Sequence, residues 1–285
     1  MSTIISYIAE NLSLSNSIKK TSMFRKLINI LCFLLVQSQI SFSQNQSDSV
    51  YHDFGLSIGI NSYQIKEKVL NNIRHTGIFP SLGFSYEWAN EKIKQRVELF
   101  LIVNMLKSRY EAEHAPIVID PSLNYSHIRK VTTFNPDIHL FLGGIAGLYS
   151  HMAFFDNWDD SHIYWLTYYY VGFSGLLTYG NPFVSSGYIE ISFPILSLVS
   201  RPPARFLYKM VDDKFSWIFN EIHNDLRVTS IHQHFVLNLD LGYKFKHSES
   251  FQQKVYWRMS YFNTQMPYSK ELIILTNTVG TILLF

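Results

Sequence analysis

Two short pairings of acid and imidazole stand out in the sequence. Asp160-Ser161-His162 and Asp137-Ile138-His139 each set a carboxylate two residues ahead of a histidine. Such a pair can orient an imidazole and let it take a proton from water, the chemistry of general-base hydrolysis. Asp156 and Asp159 stand beside the first pair, and Asp212-Asp213 lie further along. His232 and His234 are also two apart, which on a strand puts both rings on one face. His223 or Asp225 is the candidate for a further metal ligand. Each pairing has a plainer reading: solvated acidic loops for the first set, two histidines in a polar interior for the second. Two ligands do not make a metal site, and two-residue matches recur by chance. None of the 11 histidines is followed by Ser two residues later. No Gly-rich phosphate loop, Cys-based metal motif or nucleic-acid module appears, so no cofactor is expected.

The elements that must hold these residues are strands. In Phe54-Gly55-Leu56-Ser57-Ile58-Gly59-Ile60-Asn61 the even positions are large and apolar and the odd ones small or polar. Ile78, Pro80, Leu82, Phe84, Tyr86 and Trp88 repeat the pattern, opposite Phe79, Ser81, Gly83, Ser85 and Glu87. Val97, Leu99, Leu101 and Val103 alternate with Glu98, Phe100, Ile102 and Asn104. Phe235, Leu237, Leu239, Leu241, Tyr243 and Phe245 share a face with Ile231, opposite His232, His234, Asn238, Asp240 and Lys244. A period of two is the mark of strands with unlike faces. The runs are far longer than the ~5–6 residues of an ordinary strand. Ile138 to Phe155 and Ile163 to Tyr179 carry no Asp, Glu, Lys or Arg and compete as membrane helices. Against helices, the first run holds His139, His151, Gly143, Gly144 and Gly147, and the second is loaded with Tyr, Trp, Thr and Val, which are strand formers.

Composition agrees. Charged residues make up 16% of the 285 and aromatics another 16%, against roughly 25% charged in an ordinary soluble domain. Mean hydropathy is only +0.02, too low for a chain made mostly of membrane helices. These figures disfavour disorder and a basic nucleic-acid-binding surface. Long alternating strands of this kind fit an antiparallel transmembrane β-barrel, apolar outside and polar inside.

The alternation predicts ten strands, over 53–63, 76–89, 94–108, 123–134, 137–153, 162–178, 183–199, 228–246, 252–263 and 270–285, with eight or twelve as alternatives. Short connections alternate with longer ones at 64–75, 109–122, 154–161, 200–227 and 264–269, as a barrel with turns at one rim and loops at the other requires. Glu87, Arg96, Glu98, Glu190, Asp240, Lys244 and Arg258 are predicted to face inward. A barrel of ~8–10 strands is narrow enough for its own side chains to fill, so these charges are expected to neutralise one another and plug the bore. Within 200–227, Pro202-Pro203 stops a strand. Phe215, Ile218, Phe219 and Ile222 then have helical spacing, predicting a short amphipathic helix over Lys214 to His223, above the mouth or against the outer leaflet.

Residues 23–43 read as a secretory signal peptide. Arg25 and Lys26 precede the apolar core Leu27 to Val36, and Ser41-Phe42-Ser43 supplies small residues before cleavage at Gln44. Residues 1–22 read as an upstream extension or leader, with the start at Met23 or Met1, and 44–285 as the barrel domain. The single cysteine, Cys32, falls in the removed segment. Removing residues 1–43 takes four of the 24 basic residues (Lys19, Lys20, Arg25, Lys26) and one of the 22 acidic residues (Glu10), leaving 20 against 21. No polyanion partner is expected.

Phe285, Leu283 and Val279 lie on one face of a final apolar strand. Over roughly 44–285 the sequence resembles the outer-membrane β-barrel proteins of Gram-negative bacteria, by pattern rather than by the signature of a specific family. The resemblance implies a bacterial outer-membrane location with both termini periplasmic. It implies outer-membrane lipid and the barrel-insertion machinery as partners, with Phe285, Leu283 and Val279 as an assembly signal. Membrane phospholipases and lipid A deacylases of this class pair a His with a Ser two residues later, which is missing here. Outer-membrane aspartyl-type proteases carry an Asp-x-His pair and an Asp-x-Asp pair at the outer rim. Asp160 and His162 match the first at the outer end, Asp137 falls at a periplasmic turn, and the second pair is missing. The reading is a structural or surface-binding barrel acting through its extracellular loops, ligand unknown. The alternatives are a rim hydrolase acting on lipid or peptide, and a narrow solute channel.

Overall fold

A computed structural model describes residues 50–67, 74–108, 117–135, 137–155, 162–181, 185–201, 220, 223, 226–248, 251–266 and 269–285. The expected leader and signal peptide, the Asp160 site, Asp212-Asp213, Asp225 and most of the 214–223 helix lie outside the described residues.

Twelve strand segments follow one another: β1 Tyr51–Glu67, β2 Arg74–Ala89, β3 Ile93–Met105, β4 Lys107–Ser108, β5 Ile117–Asn135, β6 Ile138–Phe155, β7 His162–Asn181, β8 Ser185–Ser200, β9 Arg227–Ser230, β10 His234–Lys246, β11 Gln252–Met266 and β12 Ser269–Leu284. Segment β4 prolongs β3 on the same neighbour, β2, and β9 prolongs β10 on β8. The wall therefore has ten staves, each antiparallel to the next. β1 pairs with both β2 and β12, so the sheet closes. Closure removes the edges that an open sheet would expose.

The register fixes the shape. From Tyr51 the paired residues run through Ala89, Lys94, Ile128, Gly143, Ser174, Ser192, Asn238, Ser260 and Thr276 back to β1 at Tyr63, twelve residues further on. A stagger of that size over ten strands corresponds to a tilt of about 40°.

The two faces have opposite chemistry. Ile78 is 72% exposed and Ile60 63%, whereas Asn61, Asn104 and His151 are 0% exposed. A soluble protein rarely shows a contiguous apolar surface beyond a few hundred Å². This wall is apolar around its whole circumference, on β1, β2, β3, β8, β11 and β12 alike, which is the build of a barrel set in lipid.

The strands run further towards the long connections than the sequence pattern predicts. β5 begins at Ile117 instead of 123, with Pro121 inside it. Proline cannot donate to a ladder, and the β5–β6 register skips Asp120 and Pro121, passing from Ile119↔Met152 to Ser122↔Tyr149. The expected long connection at 264–269 is a tight one, since β11 ends at Met266 and β12 starts at Ser269. The stave read as 228–246 is broken by a turn at 231–233. The uncharged runs at 138–155 and 163–179 are strands, not helices. Gly180, near the end of β7 and paired with Ser186, has a φ of 98°, in the left-handed region that a side chain would strain.

Candidate functional site

The lumen is filled in layers. Towards the long connections lies an apolar and aromatic layer that includes Tyr63, Leu106, Tyr149, Leu166, Tyr168, Val199, Val236, Phe262, Leu272 and Ile274. Three inward tyrosines lie across inward glycines of the next strand, Tyr170 over Gly147, Tyr188 over Gly242 and Tyr256 over Gly280. A Cβ at any of these glycines would stand within 2.8 Å of the ring. Small beside large on neighbouring strands is how a narrow barrel packs its interior.

One acid–imidazole pair is embedded in this upper layer. His151 Nδ1 lies 2.8 Å from Asp120 Oδ1 and 2.8 Å from Tyr63 Oη. Tyr149 Oη donates to Asp120 Oδ2 at 3.2 Å. The His151 and Asp120 side chains are 0% and 1% exposed. The carboxylate can only accept, so it holds the imidazole in the Nδ1–H form. A general base must reach the proton it removes, and this ring is packed against Tyr63 at 5.9 Å between centroids. The pair is placed to tie β5, β6 and β1 together. Sequence reading missed it because Asp120 fell in an expected loop; the signal was inward parity on two adjacent staves.

Below it a charged belt crosses the bore. Arg96 Nη2 from β3 meets Glu190 Oε2 of β8 at 2.7 Å, and Arg96 Nε lies 3.4 Å from Glu98 Oε1. Arg258 Nη2 from β11 meets Asp240 Oδ2 of β10 at 2.7 Å and Glu98 Oε1 at 3.2 Å. Around the ring β3 faces both β8 and β11, so Arg96–Glu190 and Arg258–Glu98 span the lumen, while Arg96–Glu98 runs along β3 and Arg258–Asp240 joins register partners on β11 and β10. Tyr188 Oη donates to Asp240 at 2.7 Å and Ser174 Oγ to Glu190 at 3.1 Å. The Arg258 guanidinium also covers the Phe100 ring at 4.6 Å. Ionic groups out of water are tolerated when paired and hydrogen-bonded in this way. A cavity of about 130 Å³ remains beside the belt. Of the charges expected inside, Arg96, Glu98, Glu190, Asp240 and Arg258 form the belt. Glu87 and Lys244 lie nearer the short turns, with Lys94 and Lys254, around a second cavity of about 60 Å³.

Among the described residues the sequence-derived candidates stand apart from one another. Asp160 lies outside the described residues, and His162 opens β7 paired with Phe155. Asp137 stands exposed in the β5–β6 turn, and His139 lies 3.3 Å from Thr133 Oγ1. His232 and His234 do not share a face. The turn at 231–233 breaks the alternation, leaving His232 exposed and His234 1% exposed inside, its Nδ1 2.7 Å from Thr264 Oγ1. His223 is bound instead to Tyr169 Oη, at 2.6 Å from Nε2. Tyr169 points outward from β7, so helical His223 meets the outside of the wall. Among the described residues no group of three or more His, Cys, Asp or Glu is placed to hold a metal. Val279 and Phe285 are 57% and 59% exposed on the outer face, with Leu283 in the same alternation. Backbone bonds between Phe285 and Phe54, at 2.8 and 3.1 Å, fasten that end to β1.

No known protein family matches the chain, and no curated protein matches it. Solved structures do. The outer membrane protease OmpT from Escherichia coli aligns at 10% identity over 85% of this chain and 99% of that one, with a TM-score of 0.44. Neisserial surface protein A aligns at 8% identity over 81% and 95%, with a TM-score of 0.35. The translocator domain of the autotransporter NalP from Neisseria meningitidis aligns at 9% over 90% and 95%, with a TM-score of 0.39. The chain thus resembles small outer-membrane β-barrel proteins without falling into a specific family.

Proposed function

We propose that this chain is a bacterial outer-membrane barrel with a closed bore, and that it acts as a structural or surface-binding protein through its long-connection end. One observation carries the reading: Arg96 reaches across the lumen to Glu190 and Arg258 to Glu98, and Arg258 also pairs with Asp240 on the adjacent strand, so that ion pairs close the bore. The apolar outer band is the surface offered to outer-membrane lipid, and Val279, Leu283 and Phe285 are the face offered to the barrel-insertion machinery. A cleaved signal peptide over 23–43 and periplasmic termini belong to the same reading. The bland role of the belt is packing, which is also what a barrel without transport needs.

The test is conductance of refolded Gln44–Phe285 in planar bilayers. The expected result is no steady conductance from the native barrel. A steady, ion-selective conductance would overturn the closed-bore reading in favour of a narrow channel. Hydrolysis of lipid or peptide substrates that disappears in Asp160→Ala or His162→Ala would overturn it in favour of a rim enzyme.

A further inference from the structure

The short-turn mouth of the lumen is built differently from the belt above it. Lys244 and Lys254 are directly opposed across β10–β11, both facing inward. Like charges in that position repel, and Lys94 enters the same space from β3. Lys244 has a carboxylate, Asp53 Oδ2, at 3.1 Å. Lys94 and Lys254 have rings instead. Lys94 Nζ stands 4.9 Å from the centre of Phe141, and Lys254 Nζ 4.0 Å from that of Tyr188. Among the described residues neither ammonium has a hydrogen-bonding acceptor. Lys254 is nonetheless only 9% exposed. Among the described residues lining this space, the other carboxylates are Glu98 of the belt and Glu87, whose charge is shared among Lys94, Lys244 and Lys254. The mouth thus sets three ammonium groups against the carboxylates of Asp53 and Glu87.

A second orphan points the same way. Thr178, 3% exposed and lining the same cavity, has a hydroxyl with no partner. A buried ammonium loses several hydrogen bonds to water, and a ring face returns only part of that. The cavity is about 60 Å³. At ~10–15 Å³ per water on this measure, it takes about four to six non-hydrogen atoms.

We propose that the short-turn mouth is an oxyanion site, in which a phosphate or carboxylate group is held between Lys94, Lys254 and Thr178 with Lys244 alongside. An oxygen-rich anion supplies the acceptors that both ammonium groups and the hydroxyl lack, and it relieves the repulsion across β10–β11. The ligand chemistry is shared by free phosphate, phosphorylated headgroups and carboxylate-bearing small molecules.

Titration of the refolded barrel at low salt, by calorimetry with inorganic phosphate and separately with acetate, tests it. Saturable binding of at least one is expected. It should weaken about tenfold or more in Lys254→Met and Lys94→Met, the scale of one charge-assisted hydrogen bond. It should weaken by a few-fold in Thr178→Val. Lys66→Met, at the far end of β1, is the equal-charge control and should bind as the native barrel does. Phosphate binding alone assigns a phosphate site, and comparable acetate binding a general oxyanion site. No saturable binding of either anion overturns the proposal. So does an equal loss in Lys66→Met, which would reduce the effect to net charge. Each variant is first checked for the boiled-to-unboiled gel shift, and Thr178→Val carries the test if a lysine variant does not fold.

Discussion

The belt and the lysine mouth are neighbouring layers of one lumen, both inward, both charged and both screened from water, yet they are satisfied in opposite ways. In the belt two guanidiniums meet three carboxylates, and tyrosine and serine hydroxyls take up remaining carboxylate oxygens. In the mouth two of three ammonium groups face aromatic rings. Charge in a low-dielectric space stabilises only when its partners are fixed. The belt therefore behaves as structure, and the mouth as a place left for something to complete. This difference predicts opposite responses to deleting a charge.

The largest effect belongs to Glu98→Ala. Glu98 is shared by Arg96 and Arg258, so its loss leaves guanidiniums short of an acceptor in the middle of the bore. Breaking a buried pair by removing one partner costs about 3–5 kcal/mol. Urea unfolding followed by heat-modifiable migration should show that loss. A change below about 1 kcal/mol would mean that the belt is solvated, and the contrast with the mouth would fail. Next comes the outer wall. Ile60, at the middle of β1 and 63% exposed, faces lipid, where a basic residue at the bilayer midplane costs about 2–4 kcal/mol. Ile60→Arg should show that cost when folding into bilayers is measured. Arg96, on the inner face, shows the same side chain tolerated once partnered.

Much of this architecture is legible in the residues. Ile58, Ile60, Leu82, Phe84, Leu99 and Leu101 are outward because strand alternation and a lipid exterior act together, and both can be read locally. The inward set Arg96, Glu98, Glu190, Asp240 and Arg258 follows from the same parity. What parity cannot give is reach. That Arg96 meets Glu190 depends on stagger and strand number, which are properties of closure. The same limit hid Asp120 and His151, separated by 31 residues and obscured by Pro121, which looks like a strand breaker. Strand breaks also mislead: reading 228–246 as one unbroken strand put His232 and His234 on one face, whereas the turn at 231–233 separates them. The lysine mouth was partly legible through Lys244. The others came into view only when β3, β10 and β11 converged.

The Asp120–His151 pair should rank third. Asp120→Ala removes the acceptor for His151 and for Tyr149. Leaving a buried donor unsatisfied costs about 1–3 kcal/mol, and the same unfolding experiment reads it. His151→Ala should give a loss no larger than their joint removal allows. A double-mutant cycle with the two changes should therefore return a coupling of about 0.5–3 kcal/mol. Additive losses would mean that the contact contributes nothing beyond packing.

The smallest effect is the most telling for the comparison. Lys254→Met removes an ammonium that has no acceptor, keeps most of the apolar stem against Tyr188, and ends the opposition with Lys244. In the absence of an anion the change should lie within about 1 kcal/mol of zero and on the stabilising side, because a buried ammonium with no hydrogen-bonded acceptor is relieved instead of a direct ion pair being broken. Adding phosphate should then reverse the order: the native barrel gains stability as it binds, by the ordinary linkage of a ligand to the folded state, and the variant does not. A loss in Lys254→Met comparable to that in Glu98→Ala, unchanged by phosphate, would show that the mouth is held by its own charges as the belt is. The two layers would then differ in composition and not in kind.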